Sequence, residues 1–503
     1  MRALIVLIAA LLSCGVLRAQ NGPVGGEFPV NTHTLHTQGD SAVAMDAAGN
    51  FVVVWESLGQ DGSIPPSFNV YGRRYDAAGF PLGGEFLINT VTAGNQFSPA
   101  IAMDAAGGFV VAWEGTNQDG SQYGVAARSF ASDGTPLGDQ FTVNAHTPDN
   151  QRSVSLAMDG AGRFVVVWSS FGQDGAGYGV FARRFSAAGT PLSGEFQVNA
   201  STLSDQFSGG AAVTSDPAGN LVVAWESPDG SAAGIYARRF DAANAPRGGE
   251  MRVNAFTLGR QVDPSVVSDP LGNFVVVWNA WTHPADGSSW GVFGQRYTGA
   301  GAALGGEFKV NIENYSGQIT GGIAMEPSGN FTVVWYSALQ DGDNLGIFGR
   351  RYAREQDPLG PGPKPLGGEF QVNSFTTGEQ NLPAIAVNAT GDFVVTWYSF
   401  EQDGDDQGIF GQRFHCDPIP GMVSALTVDL AHNGTQLHFG WDDAAGADDY
   451  VVMQDASAAG SFMNMTGTAP DGASGLMVPL PPGTFRYYLV AGRNGSCGYG
   501  PLR

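Results

Sequence analysis

The chain has 503 residues, enough for several domains and a large core. Asp plus Glu number 47 against 24 Lys plus Arg, a formal net charge of -23, and lysine occurs only at Lys309 and Lys364. A surface of that sign repels phosphate backbones and anionic lipid, which excludes nucleic acid and acidic membrane surfaces as partners.

Residues 1-19 read as an export signal: Arg2, the apolar run "ALIVLIAALLS", and a small-residue cleavage site at Leu17-Arg18-Ala19. The competing reading takes "LLSC" as a lipoprotein box that lipidates Cys14; continuation of the apolar run into Gly15-Val16-Leu17 favours plain export. The protein is therefore expected to be secreted or held at the cell surface. No later segment has the apolar length that a membrane-crossing helix needs.

From residue 25 to 414 the chain repeats a unit of four short runs: "EFxVN", "xAMD", "GNFVVVW" and "GVFARRF". The tryptophan that closes the third run recurs as Trp55, Trp113, Trp168, Trp225, Trp278, Trp335 and Trp397, which sets the number of units at seven. "FVVVW" is apolar throughout, so it is expected to be a strand covered on both faces. Turn clusters such as "DAAGN" and "DAAGTPLGG" separate the runs, and the 73 glycines are spread through this pattern rather than gathered in linkers.

Four antiparallel strands in each of seven units match the blades of a β-propeller. The phase of the repeat separates this from an open solenoid. An "EFPVN" at Glu27 to Asn31 precedes any "AMD", and the last unit ends at Phe414 without one, so the N-terminal strand is expected to complete the seventh blade. The second Arg of "RRF" or "QRF" (Arg74, Arg184, Arg239, Arg296, Arg351, Arg413) and the Glu of the following strand (Glu85, Glu195, Glu250, Glu307, Glu369, Glu27) are both replaced in the second unit, by Ser129 and Gln140. That joint loss reads as a cross-strand ion pair.

On one face of the disc lie an Asp-Gly loop and the crossover between blades. The loop aspartates are Asp61, Asp119, Asp174, Asp229, Asp286, Asp341 and Asp403. Each crossover carries an Asn and, seven residues on, a Gln: Gln38, Gln96, Gln151, Gln206, Gln261, Gln318 and Gln380. An Asp before Gly is turn chemistry, and fixed polar ends on a fixed-length crossover suit side chains bonded to loop backbone. Both sets are read as structural. Alternating carboxylates at Asp341 and Asp343 and at Asp403 and Asp405 form a second reading, a site for calcium, without the twelve-residue loop that a high-affinity site uses. No other cofactor is indicated. The repeat breaks at "NAWTHPADGSSWG" in the fifth unit, where Trp281, His283 and Trp290 are the candidate ligand-binding residues, and at "AREQDPLGPGPK" in the sixth, expected as a solvated loop on the opposite face.

After "HCDPIPG" (linker, 415-421) the pattern changes. Trp441, Tyr450, and Leu480 ahead of Tyr487-Tyr488 resemble the strand markers of a fibronectin type III domain over 422-503, which implies a small β-sandwich. An even pair of cysteines in an exported chain, Cys416 and Cys497, suggests a disulfide, and the resemblance places the two at one pole of that sandwich.

The chain thus resembles a secreted bacterial seven-bladed propeller repeat protein with a fibronectin type III-like tail. The expected function is a monomeric, non-enzymatic binding or scaffold module for an extracellular glycan or protein. Two alternatives stand beside it: a polysaccharide-active hydrolase or lyase, and a calcium-dependent adhesion module. Neither a nucleophile motif nor a P-loop is present, and of seven histidines only His283 lies in an Asp-Gly loop.

Overall fold

A computed structural model describes residues 22-116, 118-202, 206, 210-230, 232-285, 287, 290-314, 317-357 and 362-415, and backbone strands within 424-499. The leader, Asp286, Leu480, Cys416 and Cys497 lie outside the described residues. Among the described residues every regular element is a strand, and no helix is long and apolar enough to cross a membrane.

Seven antiparallel sheets of four strands, the sixth with a fifth short strand, form a ring of blades. In blade one the strands are Gln38–Met45, Phe51–Leu58, Phe68–Tyr75 and Phe86–Leu87, paired in that order from the axis outward. Each second strand is the apolar run ending in tryptophan, and all seven tryptophans are among the most deeply buried side chains. At the other end of that run an aromatic pair stacks across the second and third strands: Phe51 on Tyr75 with ring centroids at 4.7 Å, Phe109 on Phe130 at 4.8 Å. Apolar side chains of one blade pack on those of the next, so the core is a ring of interblade layers.

The closure predicted from the phase of the repeat is present. Gly22–Pro29 is the outer strand of blade seven, on Gln407–His415, and the Val30 N–H continues the pairing to the Ile409 carbonyl at 2.8 Å. The insertion after Tyr352, expected as a solvated loop, is partly strand: Leu345–Gln356 runs on and pairs with Pro363–Pro365.

The Arg–Glu pair inferred from the joint change in blade two is not seen in blade one. In blade one Tyr71 faces Leu87 and Gly72 faces Phe86, a register that sets Glu85 level with Arg73 rather than Arg74. The two side chains serve different neighbours. Arg74 donates to the Ser132 carbonyl at 2.8 Å and Arg239 to the Gly299 carbonyl at 2.8 Å, each reaching the following blade's outer hairpin. Arg351 instead meets Glu326. The outer-strand acids turn to the opposite face and accept crossover N–H groups: Glu85 from Thr32, Glu195 from Ala145, and Glu307 from Ala255 at 2.7 Å. Gln140 accepts the Thr90 N–H at 2.6 Å, so the second blade lost only a charge there.

The C-terminal strands form two sheets of their own. Gln436–Asp442 lies between Ser424–Leu430 and Gly475–Pro479. The other sheet runs Asn464–Pro470, Asp449–Asp455, Tyr487–Asn494, Gly498–Tyr499.

Candidate active site at the propeller axis

The Asp-Gly loops and the crossovers form one hydrogen-bonded frame. In blade two Asp119 accepts the Ser121 N–H at 3.0 Å on one oxygen and the Asn144 side-chain amide at 2.6 Å on the other. Asn144 accepts the Val125 N–H at 2.9 Å and lies 3.2 Å from Gln151, whose own amide donates to the Pro148 carbonyl. The Asp–Asn link recurs as Asp174–Asn199, Asp341–Asn373 and Asp403–Asn31. Asn254–Gln261 and Asn311–Gln318 repeat the crossover link, Gln96 donates to the Ala93 and Gly94 carbonyls, and Gln206 accepts the Trp225 indole N–H at 3.2 Å. Asp61 accepts the Ser63 N–H and Asp229 the Ala232 N–H, turn bonds that run forward within the loop.

The carboxylates considered for calcium are engaged in the same way. Asp343 accepts the Gly378 N–H at 3.0 Å and Asp405 the His36 N–H at 3.1 Å, both from neighbouring crossovers. Among the described residues no three His, Cys, Asp or Glu side chains converge to hold a cation.

Blade five keeps the frame with other residues. Gln60, Gln173, Gln340 and Gln402 each donate to the outer-strand Glu of their own blade. His283 takes that place: its Nε2 lies 2.9 Å from Glu307, its Nδ1 accepts the Ala285 N–H at 3.1 Å, and its ring packs on Phe293 and Phe256. Trp281 and Trp290 face each other across the second and third strands in a T-shaped contact at 5.0 Å, where blade three has Phe171 and Tyr178 at 5.2 Å. The fifth loop therefore places a histidine in a scaffold position and an aromatic pair on the outer rim.

A different cluster gathers at the axis. Just past the crossover Gln, inner strands carry a bulge, seen as a register shift between Gly39 and Ala42 in blade one and between Val262 and Ser265 in blade five. Bulge residues adopt positive φ: Asp40 (44°), Ser98 (46°), Ser153 (56°), Asp263 (52°) and Leu382 (47°). Beside the bulge sits the second-strand residue that follows the tryptophan: Glu56, Glu114, Ser169, Glu226, Asn279, Tyr336 and Tyr398 around the ring. Glu56 pairs with Gly39, and Asn279 with Val262.

Four of these side chains staple their blade to the next. Glu56 accepts the Ser98 N–H at 2.9 Å, Glu114 the Ser153 N–H at 3.4 Å, Glu226 the Asp263 N–H at 2.9 Å, and Asn279 the Thr320 N–H at 2.8 Å. Blades one and five add an aspartate on the bulge itself. Asp40 receives the Ser98 hydroxyl at 3.4 Å, and Asp263 receives the Asn279 amide at 3.2 Å. Two cations stand by: Arg152, 3.5 Å from Glu114 and over the Tyr123 ring, and Arg260, whose charge acts on Glu226 and Asp263.

Burial close to other carboxylates keeps protons on this ring. Glu56 is pushed up to about 7 by loss of solvent and then by the Asp40 charge, against the bond from Ser98. Burial also pushes Glu226 up to about 7; the Asp263 N–H bond and Arg260 oppose the rise and the Asp263 charge adds to it. Asp40 and Asp263 rise for the same first reason, tempered by Ser98 and Asn279. Tyr336 is raised to about 12 by burial and then by Asp263 and Tyr398; Tyr398 is raised too, with Asp40 among its causes. The ring thus holds two pairs, Glu56 with Asp40 and Glu226 with Asp263, in which an acid protonated near neutrality adjoins a second carboxyl. General acid–base chemistry uses that arrangement.

Sequence reading passed over these positions because they adjoin the most uniform part of the repeat. One signal was available: the seven tryptophans are invariant, whereas the next residue runs Glu, Glu, Ser, Glu, Asn, Tyr, Tyr.

No family model and no curated protein matches the chain. Solved structures do, at the level of fold. A protein of unknown function from Dyadobacter fermentans DSM 18053 is 11% identical over 79% of this chain and 100% of its own, with a TM-score of 0.48. The polysaccharide lyase Uly1 is 10% identical over 80% of this chain and 98% of its own, TM-score 0.42. An α-L-arabinanase of Penicillium chrysogenum, solved with arabinobiose, is 11% identical over 79% of this chain and 98% of its own, TM-score 0.42. The expectation of a non-enzymatic binding or scaffold module is corrected here. The axial ring overturns it: Glu56 and Glu226 hold protons near neutrality beside the carboxyls of Asp40 and Asp263, the arrangement that the enzyme alternative needs.

Proposed function

We propose that the protein is a glycan-active enzyme, a hydrolase of a neutral polysaccharide, with its chemistry on the axial ring. The observation that carries this reading is the pairing of proton-holding glutamates with bulge aspartates at positions where the repeat varies. Glycoside hydrolysis needs one carboxylic acid to protonate the departing oxygen and one carboxylate to act on the other side of the bond. Glu56, half-buried and still protonated near neutrality, is the acid. Asp263, oriented by the Asn279 amide, whose bond opposes the rise that burial causes, is the base. In the reaction the Glu56 proton passes to the glycosidic oxygen as its bond to the anomeric carbon breaks. Water bonds to that carbon and its proton passes to Asp263.

Elimination by a lyase is the weaker fit. It works on uronates, and the ring's tyrosines, which could take the proton, are held above their ordinary pKa by burial. The apolar leader supports placing the enzyme outside the cell. The C-terminal strand orders, first-second-fifth and fourth-third-sixth-seventh, support a fibronectin type III-like tail over 422-503.

Incubation with neutral polysaccharides should release reducing ends. Glu56→Gln and Asp263→Asn should each lower kcat by about 10²–10⁴-fold with the thermal midpoint retained. Absence of new reducing ends from every neutral polysaccharide, or full activity in both variants, overturns the reading.

A further inference from the structure

Blades six and seven differ from the rest of the ring at both axial positions together. After the tryptophan they carry Tyr336 and Tyr398 where three other blades carry glutamate. At the bulge, blade six has Gly321, between the paired residues Thr320 and Gly322, and blade seven has Leu382. A Cβ on Gly321 would stand 2.2 Å from the Pro383 carbonyl, so the close approach of the two inner strands forbids a side chain there. Leu382 alone occupies this sector's bulge.

Leu382 is anomalous in two respects. Its φ of 47° lies in the left-handed region, where a Cβ crowds the backbone and where Asp and Ser, the residues at the other described non-glycine bulges, are better tolerated. It is also 43% exposed, so packing does not explain its retention. A strained, exposed leucine on the wall of an acid-lined site points to a ligand.

We infer that Leu382, with the half-buried rings of Tyr336 and Tyr398, is the apolar wall on which a sugar ring of a neutral glycan rests. The inference deepens the hydrolase reading and depends on it for the substrate class. A neutral sugar ring has a C–H face and a hydroxyl edge. Sites for such ligands combine apolar surface with a few placed polar groups. Around the ring, blades six and seven lie between blade five, which carries Asp263, and blade one, which carries Asp40, so the wall lies between the two acid pairs. A ring resting its C–H face on Leu382 turns its hydroxyl edge and glycosidic oxygen toward the carboxyls. Tyr398, also bonded to Asn381, keeps its proton and offers a donor at the border.

The test uses the full chain with cello-, xylo-, manno- and arabino-oligosaccharides. Kd is read by titration calorimetry and turnover by reducing ends. Leu382→Gly removes the wall and suits the backbone, so the thermal midpoint should hold or rise. Kd and KM should rise about tenfold with kcat within about threefold. Leu382→Met should restore binding. Turnover with an unchanged Kd in Leu382→Gly overturns the wall and leaves the hydrolase standing. Binding that weakens in Leu382→Gly without any wild-type turnover upholds the wall and overturns the hydrolase. Absence of both binding and turnover overturns both.

Discussion

The outer frame and the axial ring occupy the same face of the propeller and are both laid out by the same sevenfold repeat, yet they spend their carboxylates differently. In the frame, Asp119, Asp174, Asp341 and Asp403 each accept a crossover asparagine amide. These four copies do the same work, while Asp61 and Asp229 brace their own loops. At the axis the backbone is equally regular, with a bulge and a tryptophan in each full-length inner region, but the side chains change from blade to blade. Glu56 and Glu226 carry a staple bond and a proton at once. A repeat protein that keeps its backbone and varies a side chain is marking where sevenfold sameness is of no use.

That contrast can be broken or sharpened by experiment. The largest effect beyond the catalytic substitutions is on pH. Glu56 and Glu226 have folded-state pKa values near 7, raised from 4.5. Their protonated forms suit burial, so the stability present below pH 4.5 is lost as pH rises through 7. Chemical denaturation of wild type should show a decline of about 1–3 kcal/mol over that window, and Glu226→Gln should flatten it. A wild-type profile rising with pH across the window would mean that the axial acids are not desolvated.

A frame substitution should behave in the opposite manner. Asn144→Ala strands the buried Val125 N–H and the Asp119 carboxylate, at a cost of about 1–3 kcal/mol. Its thermal midpoint should fall while kcat per folded molecule stays at the wild-type value; a selective loss of kcat would remove the distinction between frame and ring. The smallest effect belongs to the fifth loop. His283→Gln replaces the histidine by the residue that Gln173 and Gln340 represent in other blades, so stability should move by less than about 0.5 kcal/mol and turnover should persist. Abolished turnover in that variant would return the active site to the rim.

The fold was legible because its signals are redundant. Seven tryptophans set the blade count, and the position of "EFPVN" before the first full unit supplied ring closure. Side-chain partnership was less legible. Arg74 and Glu85 change together with their counterparts in blade two, but they point to opposite faces and bond to different blades. The axial site was hidden for a related reason. Glu56 and Asp40 are 16 positions apart, and only the bulge at Gly39 to Ala42 brings the aspartate to the glutamate's side. Periodicity predicts strands; it does not predict where a strand gains an extra residue. The break at "NAWTHPADG" is conspicuous in the sequence, whereas a change in the single letter after each tryptophan is not.

Ring closure by the N-terminal strand has a kinetic consequence. The Ile409 N–H meets the Asn31 side chain across 378 positions of sequence, so the first strand made must wait for the last blade before its partner exists. Contacts of such separation form slowly, and until they form, the third strand of blade seven keeps an unpaired edge and blades one and seven keep bare interblade apolar surface. An intruding strand that reached the seam first would leave the propeller open.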